Sequence, residues 1–71
     1  MYMASQKKKR IALVVELEIL LKERQLSAEA AAPFIGRTPR EVRRWLDGEF
    51  VPTVESRKLI RRGIRRIKRI L

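Results

Sequence analysis

Apolar residues recur along this chain at the spacing of helices, and no strand pattern emerges from it. Leu13, Leu17 and Leu20 mark one face of a first helix ending near Arg24, with Leu26 as an anchor just beyond it. Val14, Val15, Ile19 and Leu21 lie outside that stripe, so this helix is apolar around more than half its girth. Several neighbours, or a second subunit, must cover it. Ser27 is a good N-cap for a second helix, and Glu29 stands in its first turn, where a carboxylate suits the helix dipole. Ala30, Ala31 and Ala32 continue that helix, Phe34 and Ile35 close its buried side, and Gly36 ends it. Pro33 falls late in the same helix, where it removes a hydrogen bond and is expected to tighten or bend the last turn.

The third helix has the best-written start in the chain. Thr38 at the N-cap, Pro39 at the first helical position and Glu41 three residues after Thr38 make a capping box with a pre-set φ. Val42, Trp45 and Leu46 supply its apolar face, and Asp47-Gly48 stops it. In the short loop that follows, Phe50 and Val51 are expected to fold back on the core. Thr53 caps a fourth helix with Glu55 in its first turn; Ile60, Ile64, Ile67 and Leu71 form its stripe, and Gly63 allows close packing. The pattern predicts an all-α fold, a small four-helix bundle over residues 11–71, preceded by a loose basic arm over residues 1–10.

Length and composition narrow the function. Seventy-one residues make one domain near the lower size limit of a self-supporting core, with little room for an enzyme cleft. There is no His and no Cys, which removes most metal-ligand and nucleophile options. Glu16, Glu18 and Glu23 form no paired acid/base arrangement. No enzyme activity, metal, cofactor or small-molecule substrate is therefore expected. Eighteen Lys and Arg against eight Asp and Glu give a formal charge of +10, which points to a polyanion: nucleic acid or an anionic membrane surface. The apolar stretch from Ile11 to Val15 is broken by Glu16, Glu18, Lys22 and Glu23, too soon for a signal sequence or a membrane span. A soluble, cytoplasmic protein is the expectation.

Residues 27–49 have the shape of a helix-turn-helix, two short helices crossing through a tight turn that contains Gly. Ala32 is small where the helices touch, Gly36 opens the turn, and Val42 and Trp45 point inward. This spacing resembles the Xre-like, or lambda-repressor-like, family of phage and bacterial repressors. Leu17, Leu20 and Leu26 fall where that family places first-helix core residues. The run Trp45-Leu46-Asp47-Gly48-Glu49-Phe50-Val51-Pro52 is similar to its W-L-x-G-x-x-x-P pattern. The resemblance covers roughly residues 13 to 62. The chain departs from it at Arg37, usually an apolar turn residue, at Pro33, and in a final helix longer and more basic than the family's. What the resemblance implies is a repressor-like transcriptional regulator that binds double-stranded DNA as a homodimer on a two-fold site.

In such motifs the second helix lies in the major groove with its N-terminal part against base edges. Its outward face here is Arg40, Arg43, Arg44 and Asp47. Arg40 and Arg44 repel each other by ~0.2–0.5 kcal/mol on an isolated helix, a cost that reverses opposite a polyanion, and Arg is well shaped to grip guanine O6 and N7. The plainer alternative is a solvated surface with Arg43 paired to Asp47 and Arg37 to Glu41. Trp45, Phe34 and Phe50 are read as core. Thr38 is first a cap, although it and Pro39 open a helix N-terminus that suits a phosphate. Lys7, Lys8, Lys9 and Arg10 are either a solubilising tail or an arm for the minor groove. The last helix carries Arg57, Lys58, Arg61, Arg62, Arg65, Arg66, Lys68 and Arg69 with no acid after Glu55. DNA phosphate is its first-choice partner, through Arg61, Arg62 and Arg65; an anionic membrane surface or structured RNA also fits its pattern, and its Ile stripe is an alternative dimer seam with Val14 or Ile19. The expected function is sequence-specific double-stranded DNA binding in transcription regulation, read through residues 38–47. The alternative is a basic RNA-binding or ribosome-associated protein.

Overall fold

A computed structural model of the chain describes residues 10–71, and among these there are four helices and no strand. They are α1 (Ala12–Arg24), α2 (Ala28–Ile35), α3 (Pro39–Leu46) and α4 (Val54–Ile70). The all-α bundle expected from periodicity is the architecture found. No helix among the described residues is long and apolar enough to cross a membrane.

Each boundary has a local cause. Ser27 Oγ accepts from the Ala30 N–H at 3.1 Å, and Thr53 Oγ1 accepts from the Ser56 N–H at 3.2 Å. Thr38 makes the full reciprocal box: its Oγ1 accepts from the Glu41 N–H, and Glu41 Oε1 accepts from the Thr38 N–H, both at 3.2 Å. The C-termini close with a different device. Gln25 adopts a left-handed φ of 56°, and the Leu26 N–H reaches back to the Leu21 carbonyl at 2.8 Å, which lays the Leu26 side chain on the core. Gly48 does the same for α3 at φ 79°, and the Glu49 N–H returns to the Arg44 carbonyl at 2.9 Å. Pro33 sits exposed inside α2, and the helix runs on past it to Ile35.

The four helices form a ring. α1 and α2 each pack against both α3 and α4, whereas α1 with α2, and α3 with α4, share at most marginal contact. α3 and α4 thus occupy opposite corners. The centre is filled by Val14, Leu17, Ala31, Val42, Ile60 and Ile67, all fully buried. Gly63 lets α4 approach the end of α2 so closely that a Cβ placed there would stand 2.6 Å from Ile35 Cγ1.

Some expectations about burial are corrected. The inner stripe of α1 is Val14, Leu17, Leu20 and Leu21, with Leu13 only partly covered, because α3 and α4 approach from two sides and shift the covered face. Phe50 and Val51 do not fold back on the core; they are 53% and 47% exposed, and the loop buries Pro52 instead. The Gly48 turn commits the backbone at Glu49 to the Arg44 carbonyl, which leaves the Phe50 ring beside the Arg44 guanidinium. Leu71 is 55% exposed: it lies beyond the last turn of α4, past the reach of the helices that cover Ile67.

Candidate nucleic-acid interface

α3 is an eight-residue helix held at both ends and along one side. The capping box fixes its N-terminus, the Gly48 turn fixes its C-terminus, and Val42 and Trp45 root it in the core. Its other side is basic. Arg40 and Arg43 are exposed and Arg44 is half-buried, and these three differ in how they are held.

Arg43 pairs with Glu29 of α2, not with Asp47 as the sequence alternative had it. This hydrogen bond, backed by the charge of Arg43, holds the Glu29 carboxyl below its ordinary value of 4.5. Asp47 is exposed and closes α3 instead. Arg44 Nε lies 3.5 Å from Glu49 Oε1, and its guanidinium carbon sits 5.2 Å from the centroid of the Phe50 ring. The same turn that ends α3 thus brings both partners back over Arg44, a cation–π contact worth about 0.5–1 kcal/mol at an exposed site. No ion pair is made by Arg40 among the described residues.

At the start of α3, the Thr38 hydroxyl is already engaged by Glu41, at 3.2 Å. Pro39 is half-buried at the first helical position. Arg37 does not pair with Glu41, whose carboxylate serves the cap; Arg37 is half-buried, with its Nε shielded from solvent and without a hydrogen-bond partner.

The expected N-terminal arm divides. Lys7, Lys8 and Lys9 lie outside the described residues. Arg10 is held on the fold: its guanidinium donates to Glu18 and to the Leu46 carbonyl, and its side chain is only 11% exposed. Arg10 thus clasps α1 to the end of α3. Sequence reasoning missed this role, since periodicity carries no signal for a partner eight residues away.

The α4 cations occupy the side of the helix turned from the core. Arg61, Arg62 and Arg65 are exposed, as are Lys58, Arg66, Lys68 and Arg69. Lys68 approaches Glu16 of α1 at 3.9 Å, and Arg57 donates to the Pro52 carbonyl at 3.1 Å. The structure does not merge this surface with the α3 arginines. At the start of α4, Thr53 and Ser56 share a shallow groove with Glu41, Arg44 and Trp45. No protein-family model matches the chain, and neither a curated protein nor a solved structure does.

Proposed function

We propose that this protein is a sequence-specific double-stranded DNA-binding protein of the repressor-like kind, which reads the major groove with α3 and regulates transcription. The observation that carries this reading is the placement of Arg40, Arg43 and Arg44 on the free side of a short helix capped at both ends and rooted by Val42 and Trp45. A groove reader needs rigid placement more than affinity, because a misplaced guanidinium loses its two-point grip on guanine. The resemblance of residues 13–62 to lambda-repressor-like domains supports the same reading and implies two copies on a two-fold site. Arg37, at the entry to α3, supplies a cation for a phosphate beside the groove, while Thr38 and Pro39 shape that entry, the Thr38 hydroxyl and N–H being held by Glu41. Lys7, Lys8 and Lys9 supply positive charge for the backbone of that duplex, Arg10 serves the fold rather than the DNA, and Arg61, Arg62 and Arg65 stand on a separate basic surface of α4.

The test is a duplex selected from a random pool, titrated beside a random duplex and a structured RNA of equal length at the same salt. Specific proteins bind their sites about 10³-fold or more tighter than random DNA. A selected site no tighter than random duplex, or a preference for the RNA, would remove α3 as a reader of sequence.

A further inference from the structure

We propose that the outer face of α4 is a second, separate duplex-binding site, so that one copy of the protein links two segments of DNA. The inference rests on the α3 reading for its first site and on the ring of helices for its second. α3 and α4 stand at opposite corners of that ring, each packed on α1 and α2. Each turns its apolar side to the centre: Val42 and Trp45 from α3, Ile60, Ile64 and Ile67 from α4. Their basic sides therefore face away from each other. The body they share measures 37 by 25 by 19 Å along its principal Cα axes. A straight duplex seated in one place, with a major groove ~12 Å wide against α3, does not reach around that body to the back of α4.

The α4 face itself is built for a line of phosphates. Lys58, Arg62, Arg65 and Arg69 fall at i, i+4, i+7 and i+11, one exposed stripe opposite the buried isoleucines. At ~1.5 Å per residue the stripe is about 16 Å long, the span of about five base-pair rises along one strand at ~3.4 Å each. Among the described residues no acid pairs with any of these four. A lipid surface is disfavoured, because an interfacial helix must insert an apolar face and the isoleucine face of α4 is already consumed by the core. Four unpaired cations at helical spacing beside a protein that already recruits DNA fit a second duplex backbone, bound without regard to sequence.

The experiment immobilises the selected duplex on beads, adds the full chain, and measures capture of a labelled random duplex that carries no selected site. It is run beside solution titration of the selected duplex alone. Wild-type protein is expected to capture the second duplex. The variant Lys58→Gln/Arg62→Gln/Arg65→Gln/Arg69→Gln should hold the first duplex within about twofold and lose capture by about tenfold or more, since it removes all four phosphate contacts of the second leg, whose own salt slope is about −3.6. The milder pair Arg62→Gln/Arg65→Gln should show an intermediate loss, and reads the same effect if the fourfold variant folds poorly by circular dichroism. Loss of single-duplex affinity in step with capture would place α4 on the same DNA as α3 and overturn the proposal. Capture that survives the fourfold variant would assign bridging to paired copies joined through their α3 sites, and also overturns it. So does capture of structured RNA or anionic vesicles in preference to duplex. An α3 variant, Arg40→Ala/Arg44→Ala, separates the two readings: it should abolish preference for the selected site while leaving non-specific binding through α4 in place. If it changes nothing while wild type still captures, the α3 assignment has failed and the α4 site stands.

Discussion

The three arginines of α3 are not equivalent, and the difference lies in their partners rather than their chemistry. Arg43 is tied to α2 through Glu29, Arg44 is flanked by Glu49 and Phe50 from the following turn, and Arg40 makes no ion pair among the described residues. A free guanidinium can turn fully to a base, whereas a tethered one must first give up its carboxylate. Arg40→Ala should therefore show the largest effect on discrimination. It is expected to weaken the selected site by ~1–3 kcal/mol and random duplex far less, measured as paired titrations at one salt concentration. Equal losses on both duplexes would make Arg40 a phosphate contact. Glu29 offers a separate check on the Arg43 tether. Its folded-state pKa lies below the ordinary 4.5 because Arg43 donates to it, so the folded protein binds fewer protons there than the unfolded chain. That contribution to stability is present above 4.5 and is lost as pH falls through the lowered value. Carboxyl NMR should place the Glu29 midpoint below 4.5, and Arg43→Gln should return it upward. An unchanged midpoint in the variant would show that the pair is not formed in solution.

At the scale of the helix, the starts were legible and the surroundings were not. Ser27, Thr38 and Thr53 cap where local pattern places them, since a cap depends on residues three apart that any sequence displays. Gly36 and Gly48 end helices for the same local reason. Gln25 gave no such signal, because a non-glycine residue with φ 56° is selected by the pull of Leu26 toward the core, a tertiary effect. Phe50 was misread for a related reason: an aromatic residue in a loop looks like core until a neighbouring cation is seen to flank it. Gly63 tests the α2–α4 contact directly. Replacing it by Ala favours the helix by ~1 kcal/mol in propensity, while overpacking a tight contact costs ~1–3 kcal/mol. The new Cβ would also lie 3.2 Å from the Ile35 Cα and the Phe34 carbonyl oxygen, backbone atoms that no rotamer change can move. Sterics should win, and Gly63→Ala is expected to lower stability by up to ~2 kcal/mol in urea unfolding. A stabilised variant would mean that α4 stands farther from α2 than described. Trp45→Ala should be worse, at ~3–5 kcal/mol for a buried aromatic, with loss of the folded baseline rather than a selective loss of DNA binding; a folded variant that no longer binds would put the indole at the DNA.

For the whole molecule, charge sets two quantities in opposition. Periodicity told which side of α4 is buried but not which helices cover it, so the separation of its cations from those of α3 emerges only from the ring of contacts. That separation leaves a chain of formal charge +10 with more than half of its excess on one helix, and few acids near enough to offset it. Without a polyanion the folded state carries this self-repulsion, which salt screens over a Debye length of about 10 Å at 0.1 M. The free protein should therefore melt at higher temperature as sodium chloride rises from about 0.05 to about 0.5 M. DNA affinity should move the other way. If about six phosphates are neutralised, log K for duplex is expected to fall against log salt with a slope near −5. The two titrations use one protein and one salt series, and their signs discriminate between accounts of the charge. A melting temperature that falls with salt would mean that surface ion pairs such as Arg43–Glu29 outweigh the repulsion of α4. A binding slope shallower than about −2 would mean that few phosphates are met, and that the basic faces are solvated surface rather than DNA contacts.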